Sequence, residues 1–215
     1  TQLIVSVIMI YALLLVNVGN YLSGAAIVGA VLGLDLPPAA IAIAAVSTFY
    51  VAFGGMKSVA QVTVWHSVVK YFGVLAVLAV ALHMAGGVQP MIDALPPFYF
   101  SWDGRIGGST MLAYFIGNLG AIFSTQYIVQ AICSTRSADA ARRSTYVAAG
   151  LALPIGIALG LIGVAARAVY PGVPSLYALP VFLRDMNVFL ASFVAVALVA
   201  SILASVSTVA LAIVS

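Results

Sequence analysis

VTVWHSVVKYFGVLAVLAVAL, residues 62–82, reads as a membrane-spanning helix, because about 20 consecutive, mostly apolar residues are what a hydrocarbon core requires. Its interior nevertheless holds His66 and Lys70, one helical turn apart. Thr63, His66 and Lys70 are spaced three and four residues apart and therefore share one helix face. Lys70 stands thirteen residues beyond Lys57, about 20 Å along a helix at about 1.5 Å per residue. In a core about 30 Å thick that is near or just past the midplane. A charge at that depth is expensive unless it meets a polar cavity or a partner, and such groups are by default functional. Two readings follow. The pair is held by a carbonyl and a helix end as a packing feature, or it forms a proton or ion site.

The rest of the chain supports a bilayer as solvent. Of 215 residues, 64% are hydrophobic and 6% are charged, against about 25% charged in an average soluble domain. A soluble fold of this size keeps too much surface in contact with water to hide such a composition. The five acidic residues are all Asp. No basic cluster with interleaved aromatics points to nucleic acid. The single cysteine, Cys133, excludes an internal disulfide. Thr1 and Ser215 both lie inside apolar runs, and the chain reads as one transmembrane domain, 1–215, cut from a longer protein at both ends. Motifs of metalloproteases, serine hydrolases and P-loop enzymes are missing from the sequence, so the expectation is a protein that is not an enzyme and uses no cofactor.

Six stretches are candidate spans: roughly 3–33, 39–53, 59–84, 110–133, 145–169 and 189–215. The turn GLDLPP, the pair Gly54-Gly55, the connection 85–109, the loop STRSADAARRS and the segment PGVPSLYALP separate them. In an alternating topology the loops at 54–58 and 134–144 fall on one side. They hold Lys57, Arg136, Arg142 and Arg143 against Asp139 alone. The positive-inside rule puts both in the cytoplasm.

Two further spans carry polar residues at depth. GNLGAIFSTQYIVQ, residues 117–130, combines Gly117 and Gly120 with Asn118, Ser124, Thr125, Gln126 and Gln130. Glycine-interrupted, polar spans are where transporters unwind a helix to bind substrate, and the alternative is close helix packing with polar side chains as glue. The last span ends in SILASVSTVALAIVS. Its hydroxyls and carbonyls suit a hard cation such as sodium, or bond back to their own helix. Asn17 and Asn20 in the first span read as interhelical hydrogen-bonding groups.

AFGGMKSV, QYIVQAICSTRSADAARRS and LYALPVFL, in that order, resemble signatures of the sodium:solute symporter family. The resemblance runs over essentially the whole chain. It implies an all-α membrane protein with a LeuT-type inverted-repeat fold, this chain supplying core helices three to eight. By the same resemblance, substrate-lining positions fall at Asn118, Ala121, Ile122 and Phe123, with Gln126 beside them. Cation-binding positions fall at Ser201 (through its carbonyl), Ala204, Ser205 and Thr63. Sodium would be held through Ser201 and Ser205. Ala121 and Ile122 differ from the aromatic gates of the family's sugar transporters. Ala204 lacks the hydroxyl usual there, and Thr63 stands where Asp is frequent. His66 and Lys70 occupy the same face. In some transporters of this fold a lysine on that helix takes the sodium position and couples transport to protons. The resemblance thus implies a sodium-coupled symporter importing a small organic solute through the bacterial cytoplasmic membrane. The alternatives are proton coupling through Lys70 and His66, and a symporter-like sensory domain of a histidine kinase.

Overall fold

The computed structural model describes residues 2–101 and 104–214, apart from the side chains of residues 2, 50–51, 54–62, 123–124, 126–127, 130, 211 and 214. Its regular elements are all helical: α1 (Gln2–Leu32), α2 (Leu36–Met84), α3 (Val88–Ala94), α4 (Gly108–Ser124), α5 (Gln126–Cys133), α6 (Ala138–Val169) and α7 (Val188–Val214). Short 3-10 turns at Ser175–Tyr177 and Pro180–Asp185 link α6 to α7. Among the described residues four helices are long and apolar enough to cross a membrane: Leu3–Leu32, Thr63–Met84, Ala138–Val169 and Val188–Ala210. Leu36–Phe49 is a shorter apolar helix. A protein suited to a membrane therefore agrees with the composition.

The second and third expected spans carry a single set of helix bounds, Leu36–Met84. The loop expected at 54–58 falls on residues whose side chains lie outside the described set. Packing nevertheless divides α2 into two limbs of opposite direction. In the first limb Ile43 meets Gly24 and Ser47 meets Tyr21, so it runs antiparallel to α1. α7 also runs antiparallel to α1, since Ile202 meets Gly24 and Val209 clusters with Leu13. The second limb is antiparallel to α7: Gly73 meets Ala197, while Thr63 to Lys70 face residues 201–209. It therefore runs parallel to α1 and opposite to the first limb.

The expected fourth span is broken. α4 ends at Ser124, Thr125 adopts an extended ψ of 120°, and α5 begins at Gln126. Thr125 donates both its amide and its hydroxyl to the Ala121 carbonyl, which closes the end of α4. At 17 residues, α4 is about 26 Å long and falls short of a hydrocarbon core of about 30 Å. α6 starts seven residues before the expected Thr145, inside the expected loop 134–144. Ser137 caps it by accepting the Ala140 amide at 3.2 Å, and Asp139 lies in its first turn, where a negative charge complements the helix dipole.

The main core lies where α2, α6 and α7 meet the 170–187 segment. Phe182, Met91, Ile162, Val77 and Val194 are fully buried there. Small residues set the helix spacing. A Cβ at Gly73 would stand 2.5 Å from the Ala197 Cβ, so the two helices approach at this point only because glycine is present. At the same end of the bundle Tyr170 donates to Asp185 and packs edge-on against Phe182 at 5.4 Å. Burial and the Asp185 carboxylate push the Tyr170 phenol up to about 12.

Two outcomes are expected. Gly73→Leu lowers stability by about 1–3 kcal/mol, the cost of overpacking, and adding Ala197→Gly restores much of it; thermal melts of the single and double variants measure both. The folded-state phenol titrates above its ordinary value of 10.0, so stability from protonated Tyr170 is complete below pH 10 and declines as pH rises toward 12. Melting curves across that window should show a loss that Tyr170→Phe reduces.

Candidate functional site

A cavity of about 320 Å³ lies between α1, the second limb of α2, and α7. α1 contributes Val16 and Asn20 to its lining. α2 contributes Thr63, His66, Ser67 and Lys70, which recur at helical spacing along one face. α7 contributes Ser201, Ala204, Ser205, Thr208 and Val209. All six residues expected to bind a cation or couple to one (Thr63, His66, Lys70, Ser201, Ala204 and Ser205) thus converge on one space. Ser67 and Asn20 join them. Ser67 was legible as the residue four beyond Thr63, and Asn20 as a polar group in an otherwise apolar helix.

Hydrogen bonds orient the hydroxyls. Ser67 donates to the Thr63 carbonyl at 2.8 Å, Ser205 to the Ser201 carbonyl at 3.2 Å, and Thr208 to the Ala204 carbonyl at 2.8 Å. Each hydroxyl hydrogen is thereby committed to its own helix, and the oxygen keeps its lone pairs as acceptors. Such oxygens suit a cation or a protonated amine. The Ser201 carbonyl, expected to be a sodium ligand, already accepts from Ser205.

The charge balance is one-sided. Among the described residues His66 and Lys70 are the ionisable lining groups, and no described carboxylate lines the cavity. No cluster of His, Cys, Asp or Glu among the described residues could hold a metal ion. His66 is half-buried, and its Nδ1 is buried without a hydrogen-bond partner. Asn17, one turn before Asn20, is 6% exposed and leaves its Oδ1 unpartnered.

His66 also borders a second, more open space of about 340 Å³, a groove whose other lining residues, among them Ile27, Val31, Val196, Val199 and Leu203, are all apolar, with Val31 and Val196 exposed. His66 thus lines both a polar space and an apolar one.

The expected substrate positions lie elsewhere. Asn118, Ala121 and Ile122 are exposed on α4, and none lines either cavity. The Asn118 carboxamide donates to the Tyr114 carbonyl of its own helix at 2.8 Å. The side chains of Phe123 and Gln126 lie outside the described residues. α5 packs against α7, whereas α4 is almost wholly exposed.

Comparison with known protein families, characterised proteins and solved structures finds no match to this chain.

Proposed function

We propose that this chain is the transmembrane part of a secondary active transporter that imports a small organic solute through the cytoplasmic membrane by alternating access. Its coupling-ion site is the polar cavity between α1, α2 and α7. The observation that carries the reading is the convergence of Thr63, His66, Lys70, Ser201, Ala204 and Ser205 on one space within helices of membrane-spanning length. Ionisable groups are kept at such depth when they do work. Sodium is the coupling ion in this reading. It sits on the acceptor oxygens of α7 and Thr63, with residues 134–144, the start of α6 included, on the cytoplasmic side.

One feature favours proton coupling as the second reading. Lys70 lines the same cavity, with no carboxylate beside it. Two like charges about 4 Å apart repel by about 4 kcal/mol at an effective dielectric constant of about 20. Sodium and a protonated Lys70 therefore exclude one another unless a negative group enters. In the proton-coupled form, the ammonium of Lys70 occupies the oxygens that sodium would use, and proton release opens the cavity.

Thermal stability in detergent separates the readings without a known solute. A ligand that binds only the folded state stabilises it by RT ln(1 + [L]/Kd), about 2.7 kcal/mol at a hundredfold excess over Kd. Sodium coupling predicts a saturable rise in Tm with sodium chloride over choline chloride, lost in Ser205→Val. Proton coupling predicts no sodium effect, and a change in Tm between pH 6 and pH 8 that Lys70→Met abolishes. His66→Gln controls for the one other titratable group of the cavity. The lining residues from α1 and α7 carry no titratable side chain. A protein insensitive to sodium and to both substitutions would refute a coupling site here.

A further inference from the structure

The polar cavity and the apolar groove share one lining residue, His66. We propose that they form one bipartite site for an amphipathic monocarboxylate, with its carboxylate against Lys70 and His66 and its hydrocarbon chain in the apolar groove. This names the solute class of the transporter proposed above and rests on that reading for its role as substrate; binding itself does not depend on ion coupling.

Four observations carry the chemistry. The ionisable groups of the polar cavity are both basic and face no acid. A carboxylate supplies the missing negative charge, since a buried charge is tolerated only when paired. The hydroxyls of Ser67, Ser205 and Thr208 have donated their hydrogens to backbone carbonyls. The donors that face an anion are consequently Lys70, His66 and the Asn20 carboxamide on the α1–α2 wall, with the Ser201 hydroxyl opposite them on α7. The buried Nδ1 of His66 has no partner within the protein, although a buried polar atom ordinarily has one. Finally, the apolar groove offers one polar side chain and otherwise only aliphatic ones, the composition that receives an apolar group and fixes its orientation by a single polar contact.

Charge and size define the class further. One ammonium beside an imidazole and an amide matches a single negative charge. No arginine supplies the bidentate fork that phosphate or sulfate sites favour. A carboxylate paired with Lys70 also removes the repulsion that sets the ammonium against sodium. The α7 oxygens then become available to the ion while the solute is bound.

The test is binding of radiolabelled hexanoate to the full-length protein in lipid nanodiscs, with unlabelled competitors. Acetate, butanoate and hexanoate should compete with affinity rising about fourfold per methylene, the factor for burying one CH2. Hexanol and hexylamine should not compete. Lys70→Met should weaken every carboxylate at least tenfold. In Val199→Phe, assayed with radiolabelled acetate, acetate, butanoate and hexanoate should all compete with one affinity. Because acetate binding reports the polar half alone, this second variant distinguishes a filled groove from a failed fold. Absence of hexanoate binding, equal competition by hexanol, or a chain-length preference that survives Val199→Phe would each overturn the proposal. The sodium melting experiment contains no carboxylate, so either reading can fail while the other stands.

Discussion

The contact of Gly73 with Ala197 sets the geometry on which the site depends. Lipid is as apolar as a leucine side chain, so helices in a bilayer gain little by hiding from it and associate through close packing. A side chain at position 73 would force the second limb of α2 away from α7. One and two turns earlier on α2, Lys70 and His66 face α7 across the polar cavity. The tight contact and the open space are therefore two parts of one interface. The helices touch where both residues are small and diverge where polar groups stand.

That interface divides polar from apolar along a short distance. Toward residues 201–209 of α7 lie hydroxyls whose hydrogens return to their own helix. Toward residues 195–203 lie aliphatic side chains from α1 and α7. His66 lines both. A helix in lipid must satisfy its own backbone groups, and the back-bonded hydroxyls do so while presenting oxygen lone pairs to the cavity. The basic groups then have neutral acceptors around them but no counter-charge. This imbalance is the property from which both the coupling proposal and the carboxylate proposal derive.

The segment between α6 and α7 has a different role. The 170–187 segment inserts Phe182 and Val181 into the core and joins Tyr170 to Asp185. It meets α1, α2 and α7 together, so three helices are tied at one end. α4 and α5, separated by the break at Thr125, pack less extensively: α5 meets α7, and α4 is almost wholly exposed.

Periodicity and composition determined much of this. A 6% charged chain with long apolar runs has one viable solvent, and α1 and α7 matched their expected bounds because no charged or prolyl residue interrupts them. The shared face of Thr63, His66 and Lys70 was legible from spacing alone, since a helix fixes the angle between residues three and four apart. Three features were decided only in three dimensions. The break in the fourth span fell at Thr125 rather than at Gly117 or Gly120, because the Thr125 hydroxyl and amide converge on one carbonyl. The limbs of α2 share one set of helix bounds yet pack in opposite senses, a relation carried by contacts with α1 and α7 and invisible to local pattern. The apolar groove beside His66 draws on residues more than a hundred positions apart. Sequence spacing reports which residues share a face; which faces meet depends on the shape of the partner, and that is a property of the packed structure.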